Sequence, residues 1–567
     1  MAANYMRSYR AIRKEVVESI KSTGIIVDAI PLVGDNLQNV ESANTLFDDE
    51  KIDNIDDSFL VPELDYLSPD DDFIYYSSDD DTHLQTSEGD DDLETVSFPS
   101  SLAHWATKNQ ITRTAVDQLL DILRIQGHSL PKDCRTLLGT PRVIVSQDKC
   151  GGQYIYFGIE VGVLKLLAKR KNNPLKTCKL MSNIDGIPIF KSSNKQFWPI
   201  LCNFDNSDVF LVALFCGESK PVPVSEFLHD FLEEIHILEK NGLNFKDEHL
   251  SFEMYCFICD APARAFVKGT INHTGYSSCE RCIEKGSWEG RVVFNSSLLY
   301  PLREEAVFQQ MGYSDKHQKT KSPLIDYRLP CINTFSLDYM HLVCLGVVRR
   351  ILNFLKKGPR QCRLSQGQIL LISDKLTSLN GLLPSEFARQ PRSLHQLDRW
   401  KATEFRQFLL YTGPIVLRNV VNKEVYNHFL TLTVAISILL CPNDIFRNQY
   451  LAYSKELLQY FVQKSKHIYG NTFISYNVHG LIHLHEDVKY FQCSLNEICA
   501  FPFENHLQFI KKLVRNSTNP IVQVAKRLNE FENVNGILYT RKKMFILLSE
   551  RKFVIAGFCY IPMILFL

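Results

Sequence analysis

The sequence has no H-E-x-x-H run, no regular cysteine framework, no apolar core behind its first residues and almost no net charge, and each absence removes a class of protein. Without H-E-x-x-H, the histidines of YNVHGLIHLHED (His479, His483 and His485) lack the pattern of a zinc protease helix. Sixteen cysteines at irregular spacing do not build the disulfide scaffold of a small secreted domain, and point to a reducing compartment. Met1 to Lys21 is basic and polar, unlike a signal peptide. Phe553 to Leu567 is apolar for 15 residues. That is short of the roughly 20 needed to span a bilayer. Pro562 also interrupts it, so it reads as an irregular tail, a truncated or misjoined end, with a tail anchor as the alternative, and no membrane partner is expected.

The small net charge, −1 over 567 residues, conceals a division. From Leu46 to Glu94 there are 19 acidic residues and one basic, Lys51, whereas from Thr95 onward 57 basic residues face 40 acidic. A basic body suits a polyanion partner, and the acidic arm is either its electrostatic competitor or a solvated linker. The arm offers few apolar groups to offset chain entropy, so disorder is expected there. Elsewhere 45% hydrophobic and 22% charged residues are ordinary for two or three globular domains.

The body opens near Leu102 with two expected short helices through Gly127. Three short apolar or alternating runs follow, Lys179 to Phe190, Phe197 to Phe204 and Val209 to Cys216, separated by turn-forming residues. Val224 to Lys240 then places Phe227, Leu228, Phe231, Leu232, Ile235 and Leu238 at helical spacing, stopped by Asn241-Gly242. Phe252 to Ile258 reads as a buried strand that Ala261-Pro262 ends, leaving Asp260 at its tip. A carboxylate at a strand end is a candidate ligand for a hard cation; the alternative is a helix cap. Strand, strand, strand, helix, strand is the order of a ribonuclease H-like core (β-β-β-α-β), in which acids from the first and fourth strands lie side by side. Asp185 is the acid on the first, although Asp-Gly between apolar runs is also a hairpin-turn signal.

Several runs resemble animal transposases of the CACTA (En/Spm-like) superfamily. They are NIDGIPIFKSS (Asn183 to Ser193), WPIL (Trp198 to Leu201), CDAPARA (Cys259 to Ala265) and GYSSCERC (Gly275 to Cys282). LDYMH (Leu337 to His341), WKATEFR (Trp400 to Arg406) and FPFEN (Phe501 to Asn505) add to the likeness, which covers roughly Ser101 to Glu530. The resemblance implies a nuclear DNA transposase of DDE/D type, with Asp185, Asp260 and Glu504 as the acidic triad and Mg²⁺ or Mn²⁺ as cofactor. It implies DNA terminal repeats as partner and allows a homo-oligomer. A domesticated, inactive DNA- or protein-binding factor of the same descent is the alternative reading.

Phosphodiester transfer with two divalent ions needs several converging carboxylates, which these three supply. Glu504 falls in the first turn of an expected helix along Phe503, Leu507, Ile510 and Leu513 or Val514. Lys511, Lys512 and Arg515 beyond it, with Arg264, are candidate DNA contacts; solvated charge is the alternative for the helix residues. Cys279 and Cys282 form a metal-type pair that needs two more ligands, or are free buried thiols. Cys256 and Cys259 point to opposite faces of a strand and do not complete it. The resemblance points instead to His273, His317 or His341 as partners for zinc. Asp338 and His341 match a D-x-x-H motif, and on a helix would share a face. Gly480 argues against a chelating helix for His479 and His483, which read as core or DNA-proximal residues. Trp400, Glu404 and Arg406 are read as packing or DNA contacts.

The expected organisation is a basic helix and linker (1–44), an acidic disordered arm (45–100) and a small helical module (101–150). The first part of the core follows (175–265), then a Cys/His-containing segment (266–345) and a large helical insertion (346–475). The end of the core with the third acid (476–535) and the apolar tail (536–567) complete it.

Overall fold

Apolar runs bounded by Gly, Asn and Asp become the strands of one mixed sheet. In the computed structural model the described residues are 97–534, except 171–174, 206, 247, 296–299, 315 and 385–386. The expected basic helix, most of the acidic arm and the apolar tail lie outside them. The strands are β1 (Gln147–Lys149), β2 (Gly152–Tyr156), β3 (Thr177–Ile184), β4 (Ile187–Pro188), β5 (Gln196–Phe204), β6 (Phe210–Gly217), β7 (Leu243–Phe245) and β8 (Glu248–Phe257). Their order is β1-β2-β6-β5-β3-β8-β7, with β4 also paired to β5. β3, β5 and β6 are antiparallel neighbours, and β8 joins β3 in parallel. Asp185-Gly186 is therefore no hairpin turn: β3 and β4, on either side of it, pair with the same strand, β5.

Helices cover the sheet because the strand residues alternate between two buried faces. Cys256 and Ile258 enter one core and Phe257 and Cys259 the other, so the Cys256–Cys259 pair is split across the sheet. On one face pack α1 (Ile159–Lys169) and α2 (Val224–Asn241), whose Phe231 ring meets Phe257 edge-on at 6.5 Å. Each such aromatic contributes roughly 2 kcal/mol of burial. After β8 comes α3 (Ala261–Lys268), which Asp260 caps by accepting a 2.7 Å hydrogen bond from the Ala263 N–H. The other face carries the long helical stretch, including a π-helix (Met340–Val348), α4 (Ala402–Gln407), α5 (Lys423–Leu439) and α6 (Leu451–Tyr469). The chain returns through α7 (Tyr476–Gly480), α8 (Leu484–Phe491), α9 (Phe501–Lys512) and α10 (Pro520–Val534).

Two helices, Phe98–Lys108 and Arg113–Ile125, stand where the sequence placed a helical module. They dock on α10: the buried Glu530 accepts from the Thr140 hydroxyl at 2.5 Å and pairs with Arg113 at 3.4 Å. None of the described helices is long and apolar enough to cross a membrane. All described cysteines are free and buried.

One carboxylate ties the Cys/His segment to the sheet. Glu280, 5% exposed, accepts hydrogen bonds from Arg264 Nε at 2.8 Å, Lys268 Nζ at 2.7 Å and Tyr476 Oη at 2.6 Å. Burial alone would raise its pKa, but Arg264 and Lys268 hold it well below the usual carboxylate range. Removing this partner strands two buried cations, which costs about 3–5 kcal/mol. Glu280→Ala is therefore expected to lower the thermal unfolding midpoint sharply, measured by circular dichroism; a midpoint near wild type would show that the network carries little stability.

Candidate functional site

Parallel pairing of β3 and β8 brings two acids to the same sheet edge. The register is locked at their last residues: the Ile258 N–H donates to the Ser182 carbonyl at 2.8 Å, and Asn183 Nδ2 donates to the Ile258 carbonyl at 2.7 Å. Asp185 and Asp260 each follow two residues later. Asp185 Oδ1 accepts from the Gly186 N–H at 2.7 Å, and Asp260 Oδ1 is the helix cap already described. Among the described residues the second oxygen of each acid has no protein hydrogen-bond donor.

Glu504 reaches this edge through a chain of backbone contacts. Residues 334–336 lie beside β8, with the Phe257 N–H donating to the Thr334 carbonyl at 2.7 Å and the Ser336 N–H to the Phe257 carbonyl at 3.0 Å. Two residues on, Asp338 accepts from the Ala500 N–H at 2.8 Å, which fixes the start of α9. Its other oxygen takes the His341 N–H at 2.9 Å and His341 Nδ1 at 2.6 Å. His341 Nε2 stands 3.6 Å from Glu504 Oε1, in the first turn of α9. Asp338 stands just before the π-helix, and its carboxylate meets the His341 side chain three residues on.

The charges of these groups act on one another. Burial, then the charges of Asp260 and Glu504, push Asp185 up to about 7. Burial also raises Glu504, against the pull of His341. His341, disfavoured as a cation by burial, is lifted to about 9 by Asp338 and then Glu504. The cluster is therefore short of positive charge, and protonation of Asp185 partly relieves it.

A second cluster lies in the Cys/His segment. Cys279, Cys282, His479 and His483 are buried, and their ligand atoms all lie within 4.8 Å of one another. Sγ of Cys279 and Cys282 are 3.4 Å apart, Cys282 Sγ is 3.3 Å from His479 Nε2, and Cys279 Sγ is 3.7 Å from His483 Nε2. These separations approximate the edges of a tetrahedron with Zn–S about 2.3 Å and Zn–N about 2.0 Å. Behind the rings, Glu284 Oε2 stands 3.1 Å from His479 Nδ1 and Glu486 Oε2 stands 3.4 Å from His483 Nδ1, the carboxylate backing usual for metal-bound imidazoles. This Cys₂His₂ set could hold a metal ion such as zinc. It is the one such set among the described residues, and the three acids are spread more widely than its ligands.

The expected zinc partners are thus corrected. His273 packs its ring against Tyr476 at 5.9 Å, His317 Nδ1 contacts the Ser277 carbonyl at 2.8 Å, and His341 belongs to the acids. His479 and His483 take their place instead of serving as plain core residues. Their i, i+4 spacing was the signal. Gly480, which argued against it, lies close to the π-helix, where a Cβ would come 2.7 Å from Leu342 Cδ1 and push that side chain aside. Arg264 is corrected as well: it is 2% exposed and held by Glu280, so it cannot meet a DNA backbone. Lys511 and the exposed Lys512 close α9, while Arg515 donates to the carbonyls of Gln110 and Ile111, each at 3.2 Å. Trp400 packs on Phe405 and Phe408, and Glu404 binds Arg392 and the Lys401 N–H.

Neither known protein families nor curated proteins provide a match to this chain.

Two outcomes follow. An acid raised from 3.8 to about 7 on folding favours the folded state while protonated, so the cation-free protein loses stability as pH rises between those values. The loss is on the order of 2–4 kcal/mol. Asp185→Asn should therefore raise the melting point near pH 7.5 and leave it unchanged near pH 4, and an equal effect at both would contradict the clustering. Protein purified with zinc should carry about one zinc per chain, as a four-ligand structural site does. His483→Ala should lose that zinc, and metal analysis showing full retention would contradict the Cys₂His₂ assignment.

Proposed function

We propose that the chain is a metal-dependent DNA strand-transfer enzyme, a DDE/D transposase built on a ribonuclease H-like core. The observation that carries this reading is the delivery of Asp185 and Asp260 to one edge by adjacent parallel strands, with Glu504 brought beside them through Asp338 and His341. The strand order, with α2 between β6 and β8, and the motifs shared with CACTA transposases support it.

The open oxygens of Asp185, Asp260 and Glu504 suit Mg²⁺ or Mn²⁺, which take oxygen ligands. Bound divalent ions would supply charge neutralisation and an activated attacking oxygen for phosphodiester transfer. A two-ion site also accommodates acids spread more widely than ligands of a single ion. Asp338 keeps the His341 ring oriented through Nδ1, and the protonated ring steadies Glu504. Lys511 and Lys512, at the far end of the same helix, serve the DNA backbone by charge. DNA as substrate makes the nucleus the place of action.

The test is Mn²⁺-dependent nicking of duplex DNA bearing the element's own terminal repeats, comparing wild type with Asp260→Ala. Wild type should nick, and the variant should lose at least about 100-fold, the cost of a group that serves the transition-state charge. DNA binding without cleavage by wild type would instead identify a domesticated binding factor.

A further inference from the structure

Within WKATEFR, Trp400 and Glu404 have partners and Arg406 does not. Its guanidinium sits over the Phe501 ring, 5.7 Å from the centroid, and among the described residues it has no hydrogen bond or ion pair. The ionisable groups around it are Tyr339, Tyr411, Cys344 and Cys499. Burial keeps the Tyr339 phenol and both thiols protonated, with Cys344 and Cys499 pushed up to about 12. Arg406 is thus a permanent, half-buried cation among neutral groups, with nitrogen atoms that are not sealed from solvent. The protein supplies no counter-ion there, and the open nitrogens leave room for one from a ligand.

Its position suggests what supplies it. Phe501 opens α9, one turn before Glu504, and follows Ala500, which Asp338 holds. Tyr339, next to Asp338, packs on the same Phe501 ring at 6.4 Å. The cation therefore lies against the start of the helix that carries Glu504. Planar guanidinium groups take phosphate oxygens in pairs.

We propose that Arg406 receives a backbone phosphate of the DNA strand next to the scissile phosphodiester, and so positions that strand over the acids. This rests on the DNA-cleaving reading above. Arg406→Met keeps the apolar stem against Phe501 while removing the charge.

The experiment measures binding of a fluorescent random-sequence duplex in Ca²⁺ across a salt series. Wild type should bind, and Arg406→Met should bind about tenfold more weakly. Its log K against log salt slope should be shallower by about 0.9, one phosphate contact. Arg406→Lys should recover most of the slope, and Arg406→Met should melt no lower than wild type, which a purely structural arginine would not allow. A wild-type slope in Arg406→Met would overturn the inference and leave the DNA reading standing; no binding by wild type would overturn the reading beneath it. Should Arg406→Met not fold, phenylglyoxal labelling of wild type decides: the duplex should protect Arg406, and unchanged labelling overturns the proposal.

Discussion

Holding like charges together is the constraint on which this structure turns. Asp185 and Asp260 would separate in water, yet the Ser182–Ile258 and Asn183–Ile258 hydrogen bonds fix the strands that carry them two residues upstream. Sheet registry is set by many bonds and buried side chains at once, so the repulsion cannot shift it. Burial first, and this repulsion with it, keep a proton on Asp185 up to about 7. Under the proposed function, an acid cluster kept against its own repulsion is a site prepared for positive charge, in the same sense that strain at a site points to its use.

The four residues Cys279 to Cys282 extend that constraint to the rest of the chain. Cys279 and Cys282 face His479 and His483 across roughly 200 residues of sequence, while Glu280 grips α3, which begins at Asp260. Arg281 donates to the Phe335 carbonyl at 2.5 Å and pairs with Asp487 at 2.6 Å. Asp487 in turn accepts from the Leu337 N–H at 2.6 Å, just before Asp338. One short turn therefore couples the metal-type cluster, the Asp260 helix and the segment that leads to His341. Each of these pairs is buried, so each works only while its partner stays in place.

Local chemistry made the sheet legible. The runs that become β3, β5, β6 and β8 and the face of α2 follow from period and turn residues, and Asp260 was visible as the residue after a strand. The partners were not legible, because pairing across long sequence separation leaves no periodic trace. The His479–His483 spacing was present, but Gly480 masked it. That glycine serves a close helix approach, and on the facing π-helix a Cβ at Gly346 would come 2.5 Å from Asn477 Nδ2. Arg264 looked like a DNA contact because nothing in CDAPARA announces that Glu280 lies against it. The hairpin of β1 and β2 had no long apolar run to reveal it: β1 is polar and mostly exposed, and β2 buries only Tyr154 and Ile155.

The most direct test of the central claim is an anomalous difference map from crystals of the protein soaked in Mn²⁺. Density is expected bounded by the carboxylates of Asp185, Asp260 and Glu504, and absent from crystals of Asp260→Asn. Manganese found only elsewhere, with the three carboxylates turned apart, would contradict it.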